Sequence, residues 1–171
     1  MNTNSVAHYN ELIKALEGLV KVYSGLLKTV MQEKEILIST ELDDLIENNK
    51  TKEAMLIQIK KLETARAQIV ESIAKEEKLP EDQRRLLDLS IHFGGPHGDK
   101  LRNYHSVLEL LIKRVKEFNM KNEALVHSAL SRITGTMDAI RDTLKEKSTY
   151  QQKGAMADAP APSGQLVSRE A

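Results

Sequence analysis

The sequence predicts an all-α protein: an elongated antiparallel bundle of three long helices plus one short helix, with a flexible C-terminal tail. Apolar residues recur every three or four positions over long stretches, which is the spacing of helices that pack along a shared seam. The composition agrees, because 40% of the residues are hydrophobic and 29% are charged while only 4% are aromatic. Sandwiches and barrels use more aromatic and β-branched residues than this. The length of 171 residues suits one domain with a sizeable core.

The first helix is predicted over residues 6–38. Gly18 and Gly25 lie inside it, and each costs about 1 kcal/mol relative to alanine in a helix interior. We interpret both as tolerated glycines rather than as sites of close approach. The apolar stripe of this helix has a spacing near 3.5 residues, which predicts burial against neighbouring helices. The stripe consists of Tyr9, Leu12, Ile13, Leu16, Leu19, Val20, Tyr23, Leu26, Leu27 and Val30.

A second helix is predicted over residues 41–78. Residues 39–43 have the order of a capping box, in which a Ser or Thr is followed three positions later by an acidic residue. The apolar stripe loses its register here, which favours a tight antiparallel turn over a kink in one continuous rod. Asn49 interrupts the second stripe, and a polar residue in a helical seam usually fixes the register. Pro80 separates this helix from the next.

A short third helix is predicted over residues 81–92 and a long fourth helix over residues 100–148. The glycine-rich residues 94–98 are expected to break the chain between them, with Asp99 as the cap of the fourth helix. The helical bundle thus covers residues 1–148, and the tail covers residues 149–171. The stripe of the fourth helix consists of Leu101, Tyr104, Leu108, Leu111, Val115, Phe118, Asn122, Leu125, Ala129, Ile133, Met137, Ile140 and Leu144.

The overall composition argues against several classes of function. The 25 basic residues balance 25 acidic ones, so nothing favours nucleic acid or an anionic membrane as a partner. The chain has no cysteine, which removes disulfides, thiol catalysis and cysteine-based metal sites. The N-terminal residues lack the pattern of a secretory signal, and no apolar run is long enough for a membrane span. We therefore expect a cytoplasmic protein without membrane insertion.

The sequence lacks the common motifs of catalytic, phosphate-binding and metal-binding sites. Residues 94–100 have the wrong spacing for a phosphate-binding loop, and no hydroxyl residue follows Lys100. His92 and His97 flank the glycine-rich residues, but neither belongs to a spacing that zinc or di-iron sites use. No serine has the surroundings of a nucleophile. The sequence therefore predicts a protein that is not an enzyme, with no cofactor and no metal.

Three segments resemble the FlgN family of flagellar type III export chaperones. The first is an acidic-leucine turn with the helix start behind it, the second a leucine-rich stretch with Asn119 and Asn122 three positions apart, and the third a tyrosine–glycine tail. These segments are residues 39–45 with 49–53 and Leu56, then residues 118–125, and finally Tyr150 with Gly154 and residues 167–171.

The resemblance implies a chaperone that holds hook–filament junction proteins in the cytoplasm before export. Such proteins keep the terminal helices of their substrates from assembling early and deliver them to the membrane export gate. The resemblance places the substrate contact in the C-terminal part of the last long helix, and Tyr150 at the cytoplasmic domain of the export-gate protein. The candidate residues for substrate binding are Leu125, Val126, Ile133, Met137, Ile140 and Leu144.

One alternative interpretation stays open at this point. The whole stripe of the fourth helix can also be bundle core, or the seam of a self-associating coiled-coil scaffold without any export function. A homo-oligomer would then cover the last turns. The tail is equally open, because residues 166–171 are more apolar than a solubilising tail needs, yet terminal residues are often inert.

Overall fold

Every regular element that the structure describes is helical. The structure, a computed structural model, describes the backbone of residues 3–152 and, within that range, the side chains of residues 5–81 and 83–144. Four α-helices follow one another: α1 (Thr3–Ser39), α2 (Leu42–Glu76), α3 (Leu86–Phe93) and α4 (Gly95–Gln152). The chain divides into two units, Met1–His127 and Ser128–Ala171, and α4 contributes to both.

The core of the first unit is built around the apolar stripe of α1. Leu12, Leu16, Leu19 and Val30 are completely buried, as the periodicity of the sequence predicts. From α2, α3 and α4, the fully buried Ile73, Leu89 and Leu101 complete this core. Removal of a large aliphatic side chain from water contributes about 1.5–3 kcal/mol, so burial of this stripe contributes substantially to the unit's stability.

The predicted turn between α1 and α2 is present, but the predicted capping box is wrong. Helix α1 ends at Ser39, and Thr40 adopts a left-handed conformation with φ of 62° while its N–H group donates to the Ile36 carbonyl at 3.0 Å. Glu41 is the N-cap of α2 and makes no side-chain capping hydrogen bond. Thr40 in this conformation ends α1, and the hydroxyls of Ser39 and Thr40 donate to the carbonyls of Ile36 and Ser39, so neither caps the next helix.

Contacts along α1 and α2 follow an inverse order. The Ser5 hydroxyl near the start of α1 donates to Glu76 at the end of α2, at 3.4 Å. Close to the turn, the Asn48 amide donates to the Thr29 carbonyl at 3.1 Å. Asn48 is the buried polar residue of this seam, whereas Asn49, predicted for that position, is exposed. The apolar stripe predicted for α2 otherwise has the right phase over its second half, because Ile59 and Ile73 are buried and Met55, Leu62 and Ile69 pack against the core.

The segment before α3 departs from the predicted single helix over residues 81–92. Glu81–Gln83 forms a 3-10 turn, and α3 begins only at Leu86. Arg85 is extended, and its N–H group donates to the Asp88 side chain at 3.1 Å. Asp88 therefore caps α3, while Pro80 only opens the preceding turn.

Helix α4 begins at Gly95, earlier than the predicted start at residue 100. Gly94, with φ of 58° and ψ of −175°, separates the two helices, and Gly95 at the start of α4 also has a positive φ of 46°. Pro96 lies in the first turn of α4, where a missing N–H group costs nothing. Gly98 is buried against the Ser90 carbonyl of α3, and a Cβ atom there would overlap that oxygen. The glycines serve close helix packing here, and Asp99, the predicted cap, lies inside the helix and pairs with Arg102.

Helix α4 contacts α1 at three levels within the first unit. The Tyr9 hydroxyl donates to the His97 carbonyl, and the Tyr104 hydroxyl donates to Glu17, each at 2.9 Å. Burial, followed by the hydrogen bond to the Glu17 carboxylate, raises the pKa of Tyr104, so the phenol remains a donor. Further along, the Asn122 amide donates to the Val30 carbonyl at 2.9 Å. No helix in the described residues is long and apolar enough to cross a membrane.

Candidate protein-binding surface

The stripe of α4 has two parts with opposite burial. Leu101, Leu108 and Val115 are buried, and Tyr104, Leu111 and Phe118 are partly buried against the core. Asn122 is the last buried residue of the stripe. From Glu123 to Leu144 every described side chain is exposed, although the apolar spacing continues. The interpretation of the whole stripe as bundle core is therefore wrong for its second part.

A buried polar cluster marks the end of the covered part. The amide of Asn122, which is only 4% exposed, donates to Glu33 Oε2 at 3.0 Å as well as to the Val30 carbonyl. Lys52 donates to the other oxygen of Glu33 at 2.7 Å. One carboxylate from α1 thus binds both α2 and α4. Hydrogen bonds to a charged group contribute about 1.5–3 kcal/mol each, so the cluster fixes the register of the three helices at this level.

The second unit carries a row of exposed aliphatic side chains, here called the distal stripe. Its intervals alternate between four and three residues, which places all members on one helix face. Each member has more than half of its surface exposed, from 55% at Ile140 to 66% at Met137. With a rise of 1.5 Å per residue the row is about 21 Å long. The distal stripe consists of Leu130, Ile133, Met137, Ile140 and Leu144.

Leu130 is not among the residues predicted for substrate binding. Its signal was the strict alternation of intervals, which leads back from Ile133 to residue 130 rather than to Ala129. The predicted Leu125 and Val126 are 36% and 40% exposed, and they belong to the first unit. The remaining four predicted residues, Ile133, Met137, Ile140 and Leu144, all belong to the distal stripe.

Small polar residues surround the distal stripe. Thr134 and Thr143 direct their hydroxyl groups to the carbonyls of Leu130 and Ala139 of the same helix, at 2.6 and 2.7 Å. These hydroxyls are satisfied locally, and such bonds slightly weaken a helix. Charged residues beside a helical seam normally determine which partner it selects. Their place beside the distal stripe is taken mostly by threonine and alanine, which leaves an apolar surface with little charge selectivity.

The helix that carries the distal stripe has weak intrinsic stability. Gly135 lies in its middle with no atom near the position of a Cβ, so it contributes no packing and costs about 1 kcal/mol. Isolated helices of this length are marginal in water, and most helical stability in proteins comes from burial of an apolar face. An apolar partner helix would supply the burial that this segment lacks.

Two predicted features lie wholly or partly outside the described residues. The backbone of Tyr150 belongs to α4, which continues to Gln152 rather than ending at residue 148. The Tyr150 side chain, predicted to dock to the export gate, is outside the described residues, as is the tail from residue 153 onward.

His92 and His97, which flank the glycine-rich residues, take part in structural contacts. His92 lies 3.2 Å from the Glu77 carboxylate, and the His97 ring packs edge-on against Tyr9. Within the described part of the chain, no cluster of three or more His, Asp or Glu side chains is arranged to hold a metal ion. Residues 94–100 form a helix start rather than a phosphate-binding loop.

Comparison with known proteins identifies the family. No curated protein and no solved structure matches the chain. The family model described as FlgN protein matches residues 1–158, which covers the three segments of the sequence resemblance except the end of the tail. With nearly the whole chain matched, the protein belongs to the FlgN family of flagellar export chaperones.

Proposed function

We propose that this protein is a cytoplasmic chaperone that binds terminal helices of flagellar hook–filament junction proteins, prevents their premature assembly and delivers them to the export gate. The observation that carries the proposal is the exposure of the distal stripe on a chain of the FlgN family. Apolar rows of this kind mark sites of protein contact, because a free protein gains nothing from presenting them to water.

An amphipathic helix is the partner that fits the distal stripe best. A helix in a groove or on a helical face makes contacts at intervals of three and four residues, and the distal stripe offers this spacing over about four turns. Met137 adds an unbranched, polarizable side chain that adapts to different partners. Terminal helices of junction proteins, which assemble through apolar faces, have the required chemistry.

The energetics suit a carrier that must release its substrate. Full burial of an aliphatic side chain contributes about 1.5–3 kcal/mol. Association and the ordering of a marginal helix offset much of that contribution. The scarcity of charged neighbours removes the ion pairs that would make the complex selective and long-lived. We therefore expect moderate affinity.

In this proposal the first unit is the scaffold, an antiparallel bundle of α1, α2 and the first part of α4 with α3 as an accessory helix. The inverse order of contacts between α1 and α2 supports that arrangement, as does the parallel order of the hydrogen bonds between α1 and α4. A core with this degree of burial has no need of the distal stripe for its own stability.

A matched pair of aspartate substitutions tests the binding surface. Ile140→Asp places a charge on the distal stripe, and Ala139→Asp places the same charge in the same turn but on the side of the helix away from the stripe. Titration calorimetry with a purified junction protein should show at least about tenfold weaker binding for Ile140→Asp. Ala139→Asp should bind like the unsubstituted chain. Equal binding by both variants would contradict the proposal, and so would loss of the bundle's helicity in Ile140→Asp alone.

Delivery to the export gate is assigned to Tyr150 by the family resemblance. Tyr150→Ala should keep the affinity for the junction protein and reduce its secretion in a flagellated strain. Tyr150→Phe distinguishes the contribution of the hydroxyl group from that of the ring, because phenylalanine keeps the ring and lacks the hydroxyl. If Tyr150→Ala weakens substrate binding as much as secretion, the two activities share one surface and the separate docking site is wrong.

The scaffold alternative predicts a different covering of the distal stripe. A self-associating coiled coil would protect residues 128–144 from amide hydrogen exchange without any junction protein, and this protection would increase with the concentration of the protein itself. Sedimentation of the Ile140→Asp variant distinguishes the two functions, because only a scaffold would lose its oligomer with this substitution.

A further inference from the structure

A short cleft between α1 and α2 has no part in the proposed substrate binding. It lies near the turn that joins the two helices and has a volume of about 380 Å³. On α2 its lining extends from Asp44 to Thr51, which is about 10 Å of helix. The cleft belongs entirely to the first unit and shares no residue with the distal stripe.

The cleft concentrates negative charge in a chain that is neutral overall. Glu35 of α1 and Asp44 and Glu47 of α2 line it, and its described lining contains no lysine, arginine or histidine. Glu35 and Asp44 form no ion pair within 4.0 Å with any side chain that the structure describes. Glu47 has Lys50 at 3.9 Å, but both side chains are more than two-thirds exposed, so this pair contributes little. The three carboxylates are therefore available to a cation.

Repulsion between carboxylates is also evident beside the cleft. A hydrogen bond with Asp44, followed by the charge of that carboxylate, raises the pKa of Glu41, the residue that precedes α2. A cation bound in the cleft would reduce this repulsion, because it would offset the charge of Asp44.

Asn48 provides an independent indication of a ligand. Its side chain lines the cleft while being only 8% exposed, and its amide donates to the Thr29 carbonyl at 3.1 Å. That hydrogen bond leaves Oδ1 as an acceptor, and this oxygen is buried with no donor among the described residues. A buried acceptor without a donor is destabilising. An N–H group that enters the cleft would supply the missing donor.

These features favour a guanidinium group over other cations. The unfilled groups are an amide oxygen and three carboxylates, all of which are acceptors. A guanidinium has five N–H donors and no acceptor, and its planar fork binds carboxylates through parallel hydrogen bonds, whereas the ammonium group of lysine is a compact point charge. A metal ion fits less well, because no three acidic or histidine side chains in the described part of the chain are arranged to hold one.

We propose that this cleft binds an arginine side chain from a basic segment of a partner protein. The guanidinium donates to Asn48 Oδ1 at the buried side of the cleft and to the carboxylates of Glu35 and Asp44, which belong to different helices. A basic partner and an apolar substrate helix do not compete for the same side chains, because the cleft and the distal stripe have no residue in common.

This contact is weak and sensitive to salt. Its carboxylates are exposed, so each ion pair contributes little, and ions screen such charges beyond about 10 Å at 0.1 M salt. Selectivity for arginine comes from Asn48, because only a donor that reaches Oδ1 satisfies the buried acceptor. Nucleic acid and anionic membranes are repelled by the same carboxylates.

Nuclear magnetic resonance titration of the unsubstituted full-length chain tests the site directly. The probe is a capped tetra-arginine peptide, added to nitrogen-15-labelled protein at low ionic strength. It should shift the side-chain amide signals of Asn48 and the backbone amide signals of residues 44–51, and a capped tetralysine peptide should shift them less. Unchanged Asn48 signals overturn the proposal, and so do equal or larger shifts with tetralysine. Calcium chloride that reproduces the shifts at the same concentration would make the cleft a metal site, which also overturns it.

Two isosteric double substitutions separate the cleft from general charge attraction. Glu35→Gln with Asp44→Asn removes two charges inside the cleft, and Asp43→Asn with Glu53→Gln removes two charges from exposed positions of α2 outside it. The first variant should raise the dissociation constant of the tetra-arginine peptide at least about fivefold, and the second less than about twofold. Equal losses overturn the proposal. Ile133→Ala, in the distal stripe, should leave the affinity for the peptide unchanged; a loss equal to that of the first variant would place the peptide on the substrate surface and overturn the proposal as well.

Discussion

The two parts of α4 have the same apolar spacing, but the stripe is buried in the first part and exposed in the second. Up to Asn122 the stripe is buried or partly buried in the core of the first unit, and Asn122 at its end binds the buried Glu33 carboxylate of α1. From Ser128 to Leu144 the same spacing is uncovered, small polar residues stand beside it, and a glycine lies in the middle. Periodicity therefore predicts that a face will be buried, but not whether the chain itself or a partner buries it. The distinction depends on what packs opposite.

The largest expected difference between the two parts concerns aliphatic truncation. Leu108→Ala should lower the free energy of unfolding by about 3 kcal/mol, because Leu108 is 7% exposed and its loss leaves a cavity. Ile133→Ala, in the distal stripe, should change that free energy by less than about 0.5 kcal/mol. Urea denaturation followed by circular dichroism measures both. Similar costs for the two variants would remove the distinction between a covered and an uncovered stripe.

Replacing a glycine with alanine should have opposite effects on stability in the two parts of α4. Gly98→Ala should destabilise the first unit by about 2 kcal/mol, since the new Cβ atom overlaps the Ser90 carbonyl and the overpacking exceeds the gain in helix propensity. Gly135→Ala meets no atom and should raise the helicity of the second unit, with a gain of about 1 kcal/mol. Thermal denaturation and far-ultraviolet circular dichroism detect the two effects. A neutral Gly98→Ala would show that α3 and α4 do not approach closely.

A third comparison concerns the polar end of the covered stripe. Asn122→Ala removes the hydrogen bonds to the Val30 carbonyl and to the Glu33 carboxylate, so a loss of about 2–3 kcal/mol in unfolding free energy is expected. Asn119→Ala is the control, because Asn119 is exposed on the same helix. If both substitutions cost equally little, Asn122 does not fix the register of α4 on α1.

The helices and the buried stripe of α1 were predictable from the sequence because both depend on periodicity alone. Features that depend on a neighbouring helix were not. Gly98 belongs to a sequence typical of a turn, yet its role comes from the backbone of α3. Asn48 and Asn49 differ by 100° around α2, and only the contact with Thr29 determines which one is buried. The capping box at residues 39–43 failed because Thr40 adopts a left-handed conformation that no local pattern signals.

The sequence was enough to predict which aliphatic residues form the candidate surface, but not whether they are exposed. Five or more aliphatic residues at helical spacing are equally compatible with a core and with a binding face. The decisive quantity is the exposed fraction of each side chain, which depends on the whole fold. The family resemblance pointed to the C-terminal part of the last helix, and the structure adds Leu130 to the aliphatic row there.

Amide hydrogen exchange of residues 128–144, with and without a purified junction protein, tests the central claim most directly. We expect rapid exchange in the free protein at any concentration, because no packing stabilises this part of α4, and strong protection once the junction protein is added. Slow exchange in the free protein, or protection by the junction protein confined to the first unit, would contradict it.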